Sequence, residues 1–260
     1  MGTTTVQGDL WGAAAEEWAE LNEPASAPIY EAAFDAAGVA RGTRLLDVGC
    51  GAGYALQLAA ERGAVVTGLD ASPGLLAVAR RRVPDAALAQ GDLESLPYDD
   101  DSFDVVTAFN AVQYAADPTA ALREVRRVAV PGARVAVATW GGPERCDMRV
   151  LLAAIGSLLP PPPPGAAGPF ALAAPGALEA LVESAGLTAE RAIAVPVSFT
   201  FLDLDAAVRG SLASGPARAA IERAGEGAVR DASRRAQAGF VRDDGSVRLD
   251  NEFRVVMARA

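Results

Sequence analysis

The chain has 260 residues, 51% of them hydrophobic, and a formal net charge of −10. A chain of this length buries roughly three quarters of its unfolded surface, which fits one core with elaborations. The formal charge of −10 and the sequence pI of about 4.6 oppose a phosphate-backbone ligand, because nucleic-acid surfaces need clustered positive charge.

No apolar run approaches the ~18 residues of a membrane span. The opening MGTTTVQGDLWG lacks the basic and apolar regions of a secretory signal. The expectation is a cytoplasmic protein with neither membrane nor nucleic acid as partner. Arg in place of Lys, with abundant Ala, Gly and Pro, matches a GC-rich bacterial coding sequence. Cys50 and Cys146 are far apart and the chain has no His, so two free thiols are expected, with neither a disulfide framework nor a metal site.

In chain order, residues 10–38 read as helical. LWGAAAEEWAEL puts Leu10, Trp11, Trp18 and Leu21 near one face, and Pro28 opens a second helix closed by Gly38. Residues 1–42 are therefore expected to form an N-terminal helical cap. From 43 to 141 strands alternate with helices. The strand RLLDVG precedes a glycine turn and the helix YALQLAAERG, and AVVTGLD precedes a helix capped by Ser72 with Pro73 at its first position. The end of a strand in ALAQGD, the loop LESLPYDDDS and the strand FDVVTAFN come next, then a helix begun by Asp117 and Pro118, and the strand ARVAVATWG after Pro131 and Gly132. This alternation predicts an α/β fold with a parallel sheet.

Residues 142–260 are less regular. Helices are expected near 147–159 and in PGALEALVESAG, PARAAIERAG and GAVRDASRRAQAG, with strands in AIAVPVSFTF and SVRLDNEFRVVMARA. The run Pro160–Pro164 reads as a stiff polyproline connector.

The chemistry is concentrated in LLDVGCGAG, residues 45–53, where Gly49, Gly51 and Gly53 follow a buried strand and precede a helix. Such a turn lets a ligand approach backbone N–H groups closely. A dinucleotide site, G-x-G-x-x-G, would occupy the same place. Here the third glycine comes one residue early, and Asp47 stands two residues before the first glycine, where its charge would repel a pyrophosphate. S-adenosylmethionine carries an ammonium and a sulfonium and no phosphate, so an acidic turn attracts it. Asp70, 19 residues after Gly51, is placed to accept ribose hydroxyls. Asp92, after Gly91 at a strand end, is placed to accept from an adenine amino group, with Leu93 packing on the ring.

With these residues in view, the chain resembles the class I S-adenosylmethionine-dependent methyltransferases, within the bacterial small-molecule group related to the quinone-biosynthesis enzymes. The matching segments are LLDVGCGAG, GLDAS, GDLESLPYDDDSFDVV, AFNAVQYAADP and REVRRVAVPGARVAVATWG. The resemblance covers residues 43–141 strongly and the last third weakly. AVPGA stands where the family often has LKPGG, a mild departure at a turn.

The resemblance implies a Rossmann-like, seven-stranded, mostly parallel sheet with a reversed last strand, for which NEFRVVMARA is the candidate, and helical insertions beside the cap. It also implies that Asp47, Gly49, Cys50, Gly51 and Gly53 surround the methionine portion and Asn110 lies near its amino group. Asp70 would serve the ribose, and Ala71, Asp92 and Leu93 the adenine.

Methyl transfer needs alignment and exclusion of water more than a base. Without His, either the acceptor arrives nucleophilic or an Asp, Glu or Tyr takes its proton. Candidates toward the acceptor are Tyr30 on the cap, Gln113 and Tyr114 beyond the fourth strand, and Thr139 and Trp140 at the end of the fifth. Trp11 and Trp18 are expected as a lid over the cofactor. The apolar content of residues 142–260, including Leu151, Ile155, Phe170 and Phe201, suggests a small hydrophobic metabolite as acceptor. A protein that keeps this pocket for a cyclisation or pericyclic step would need the same binding residues. A non-catalytic binding module and a nicotinamide-dependent oxidoreductase are the remaining alternatives, the latter opposed by Asp47 and the short glycine motif.

Overall fold

The computed structural model describes residues 3–161 and 168–260. Pro162–Pro164 of the proline run lie outside the described residues, and with them most of the expected connector.

The cap comprises α1 (Thr4–Gly12), α2 (Ala15–Leu21) and α3 (Ala27–Ala37). The single helix expected over 10–21 is two helices that part at Ala14, whose φ of −144° and ψ of 50° leave the helical region. Gly38 closes α3 with a φ of 69°, the left-handed conformation that glycine adopts without steric cost.

The strands are β1 (Arg44–Val48), β2 (Val65–Asp70), β3 (Ala87–Gln90), β4 (Phe103–Phe109), β5 (Ala129–Trp140), β6 (Thr188–Phe201) and β7 (Val247–Arg259). They form one sheet in the order β3-β2-β1-β4-β5-β7-β6. β1 to β5 pair in parallel, whereas β7 runs antiparallel between β5 and β6. This is the seven-stranded, mostly parallel sheet with a reversed last strand that the resemblance implied. β5 starts at Ala129, ahead of Pro131, so it is longer than ARVAVATWG suggested.

Helices α4 (Tyr54–Glu61), α5 (Pro73–Arg82) and α6 (Pro118–Val128) connect the parallel strands. Ser72 Oγ accepts the Leu75 N–H at 3.2 Å, and Asp117 accepts those of Thr119 and Ala120 at 2.9 and 3.0 Å. Both expected N-caps therefore satisfy donors that a helix start leaves unpaired. Helices on both faces explain why Leu45, Leu46 and Val48 are all fully buried in consecutive register, instead of alternating. Separate apolar clusters fill the two faces of the sheet, one around Phe34, Leu45 and Leu56, the other around Leu46, Leu122 and Val135.

After β5 come α7 (Met148–Gly156) and α8 (Ala177–Ser184); after β6 come α9 (Leu204–Leu212), α10 (Gly215–Ala224) and α11 (Glu226–Gln237). Leu151, Ile155, Val208, Leu212, Ala217 and Val229 join four of these helices in a further apolar cluster. α1 packs on α5 and α10, and α2 on α5 and α9, so the cap and the late helices meet. Trp11 lies so close to Gly215 that a Cβ there would sit 2.6 Å from the indole.

Candidate functional site

Chain order changes direction between β1 and β4, and ligands of open α/β sheets bind beyond the strand ends at such a point. There β1 runs into Gly49, Gly51 and Gly53, whose φ values are 79°, 57° and 82°. The Gly49 and Cys50 N–H groups donate to Leu69 O at 2.7 and 3.0 Å, which ties the turn to β2. A Cβ on Gly49 would meet Ala111 Cβ at 2.5 Å. Glycine is thus required twice over at this position, by conformation and by space.

Three acids surround the turn. Asp70 at the end of β2 accepts the Gly51 N–H through Oδ2 and the Ser72 N–H through Oδ1, both at 2.8 Å. Burial raises its carboxyl above the usual range while these backbone donors oppose the shift. Asp47, 2% exposed, accepts the Thr107 hydroxyl at 2.7 Å. Burial pushes it up to about 7, partly countered by that hydroxyl, with Asp70 and Glu23 adding repulsion.

The third acid, Glu23, was not foreseen. It follows α2 and is buried, and its Oε1 accepts the Ala52 N–H at 2.8 Å inside the glycine turn. Its Oε2 pairs with Arg82. Burial pushes Glu23 up to about 7 against the lowering effect of Arg82. Arg82 also donates to Ala52 O at 2.8 Å and Ala19 O at 3.3 Å. One guanidinium therefore joins the cap, α5 and the turn. Only the signal of an acid near the end of a cap helix was present in sequence; its partner Ala52 is 29 residues away.

A cavity at this place is lined by Glu23, Asp47, Asp70, Gly49, Cys50 and Gly51 on its polar side. Ala71, Leu93, Asn110, Trp11 and Trp18 also line it, so the structure brings most of the anticipated cofactor residues together. Two do not line it. Gly53 instead caps α4, close against Ala79. Asp92 turns back on its own loop, where Oδ1 accepts the Glu94 N–H at 2.9 Å. Cys50 is buried, and desolvation raises its thiol well above the ordinary range, so it remains a neutral wall.

The residues anticipated near the acceptor divide similarly. Tyr30, Tyr114 and Trp140 line the cavity. Burial pushes the Tyr114 phenol up to about 12 and that of Tyr30 higher. Both hydroxyls stay protonated near neutral pH. Trp140 stacks on Phe253 with centroids 4.3 Å apart. Thr139 is fully buried in β5. Gln113 is set behind the cavity, and its Nε2 donates to Asn110 Oδ1. Asn110 itself has a φ of 52°, a left-handed conformation that Asn tolerates better than most residues.

A second cavity shares Trp11, Trp18, Asn110, Tyr114, Trp140 and Phe199 with the first and continues among α7, α9, α10 and α11. The negatively charged region therefore opens past Asn110 into an apolar one.

Residues 46–137 match the methyltransferase domain family. A demethylmenaquinone methyltransferase from Renibacterium salmoninarum is 40% identical over 109 residues, which are 42% of this chain and 46% of the relative. A malonyl-[acyl-carrier protein] O-methyltransferase from Serratia marcescens is 42% identical over 98 residues, 38% of each chain. The chain thus spans less than half the length of these curated relatives. A SAM-dependent methyltransferase from Aquifex aeolicus, 21% identical, superposes with a TM-score of 0.53 over 70% of this chain and 92% of its own, a likeness of fold. Sheet order, glycine turn and family match agree: residues 46–137 match the methyltransferase domain family, and over this segment the chain is similar to demethylmenaquinone and malonyl-[acyl-carrier protein] O-methyltransferases.

Proposed function

We propose that the protein transfers a methyl group from S-adenosylmethionine to O, N or C of a small, hydrophobic metabolite. The observation that carries this reading is the convergence of Glu23, Asp47 and Asp70 on one cavity at the glycine turn, against the single paired cation Arg82. Such a wall fits a ligand with positive charge and opposes a pyrophosphate.

When bound, S-adenosylmethionine supplies a methyl carbon already activated by its sulfonium. The protein's residues do the rest. Asp70 and the Gly49–Gly51 backbone hold the ribose and methionine portions, Asp47 and Glu23 supply negative charge, and Ala71 and Leu93 flank the adenine. Asp92, facing its own loop, reaches the adenine only through its second carboxylate oxygen. Trp11 and Trp18 cover the site and exclude water. Asn110, held by Gln113, marks the passage to the acceptor. No histidine is present, so the acceptor either arrives nucleophilic or gives its proton to an Asp, Glu or Tyr of the cavity. The cap of residues 1–42 and the helices of 142–260 enclose the acceptor around the core of 43–141.

Incubation with methyl-labelled S-adenosylmethionine and a panel of small hydrophobic acceptors tests the reading. Methylated product and S-adenosylhomocysteine should appear in equal amounts. Methylation of bulk tRNA, DNA or peptides and of no small molecule would contradict it. Product without S-adenosylhomocysteine would assign a non-methylating reaction such as a cyclisation.

A further inference from the structure

The second cavity has a composition that narrows its ligand. Its walls include Trp18, Trp140, Phe199 and Phe201, and among the described residues lining it none is charged. A charged ligand entering there would lose its hydration without a compensating ion pair. One polar group stands out against this background. Gln237, at the end of α11, is 1% exposed and lines the second cavity but not the first.

Its Nε2 donates to Ser211 Oγ and to Ser233 O, each at 3.3 Å. The Ser233 carbonyl can only accept, so this bond fixes which end of the amide is the nitrogen. Oε1 is left buried with no hydrogen-bond partner, and Ser233 Oγ, one turn back on α11, has none either. A buried acceptor without a donor is unfavourable, and a ligand that brings an O–H or N–H removes that penalty while one that lacks it does not.

We propose that the acceptor is an uncharged, ring-bearing small molecule carrying a hydroxyl or N–H donor, which Gln237 Oε1 receives in the part of the cavity remote from the glycine turn. This rests on the methyl-transfer reading above and makes Gln237 a specificity-determining residue. The rings stack among the aromatic walls, and the donor at one end sets which atom faces the passage at Asn110.

Equilibrium dialysis of the full chain, saturated with S-adenosylhomocysteine, against 2-naphthol, 2-methoxynaphthalene and 2-naphthoate tests this. The wild-type protein should hold 2-naphthol at least tenfold more tightly than the other two. Gln237→Leu should erase the preference for the naphthol over the methyl ether while its binding of the ether is kept or improved. Equal binding of naphthol and ether by the wild type, equal or tighter binding of the naphthoate, or no binding of either neutral compound would overturn the inference. Because the wild-type comparison stands alone, a variant that fails to fold does not remove the test. S-adenosylhomocysteine binding is measured first by calorimetry, so failure of the cofactor reading shows there and failure of the Gln237 inference shows only in the dialysis.

Discussion

Glu23 Oε1 accepts the backbone N–H of Ala52 at 2.8 Å, a bond that joins the N-terminal cap to the interior of the glycine turn. Through it the lid and the cofactor site become one unit, and Arg82 locks the pair from the other side. Glu23→Ala leaves the half-buried Arg82 without its counter-charge and the buried Ala52 N–H without its acceptor, and should cost about 3 kcal/mol of stability. Thermal unfolding would show this as a fall of about 6 °C or more. Glu23→Gln, which keeps an acceptor for Ala52, should fold better than the alanine variant but bind S-adenosylmethionine more weakly than the wild type.

Glu23 and Asp47 also predict opposite pH trends for stability and for cofactor binding. Each is held near 7 in the folded protein by burial, well above its unfolded value, so the folded state binds protons more tightly than the unfolded one. Their contribution to stability is therefore fully present below about pH 4, the unfolded range, and is lost as pH rises through 7. Cofactor affinity should move the other way, since only the ionised acids attract its positive charge. Unfolding and calorimetric titrations at pH 6 and pH 8 would check both signs.

Gly49→Ala should abolish tight cofactor binding. A side chain there must adopt a φ of 79° and place its Cβ 2.5 Å from that of Ala111, a strain of about 1–3 kcal/mol. Circular dichroism should still report a folded protein, while calorimetry with S-adenosylhomocysteine should report little heat.

Gln113 acts through Asn110. Gln113→Leu frees the Asn110 amide and should lower kcat/KM for methyl transfer about tenfold by misplacing a group at the passage between the cavities. S-adenosylhomocysteine affinity should change much less, since Gln113 lines neither cavity. Equal loss of both would show that Gln113 matters only for folding.

Local signals made the core of this fold readable. Ser72–Pro73 and Asp117–Pro118 mark helix starts with side chains that bond donors two or three residues ahead, and the glycine turn is continuous in sequence. The break at Ala14 gave no such signal, because alanine is the best helix former and the break follows from how α2 docks on α5 and α9. α9 was overlooked although Asp203 caps it by accepting the Ala206 N–H at 2.7 Å. The segment LDLDAAVRGSL lies just after a long strand, although Leu204, Val208 and Leu212 recur in it at helical spacing.

Within the site, Asp47, Asp70 and the glycines were legible because their neighbours are close in sequence. Glu23 was not, since it acquires its role only when the cap folds against a turn 29 residues later. Asp92 shows the reverse limit: its spacing suggested a ligand contact, but its carboxylate first satisfies its own loop.

The most direct test of the central claim is calorimetric titration of the protein with S-adenosylmethionine, S-adenosylhomocysteine and NAD, repeated on Asp70→Ala. The account predicts micromolar binding of both sulfur ligands, at least tenfold weaker binding in the variant, which loses the acceptor of the Gly51 and Ser72 N–H groups, and no binding of NAD. Binding of NAD in preference to either sulfur ligand, or sulfur-ligand affinities untouched by the substitution, would contradict it.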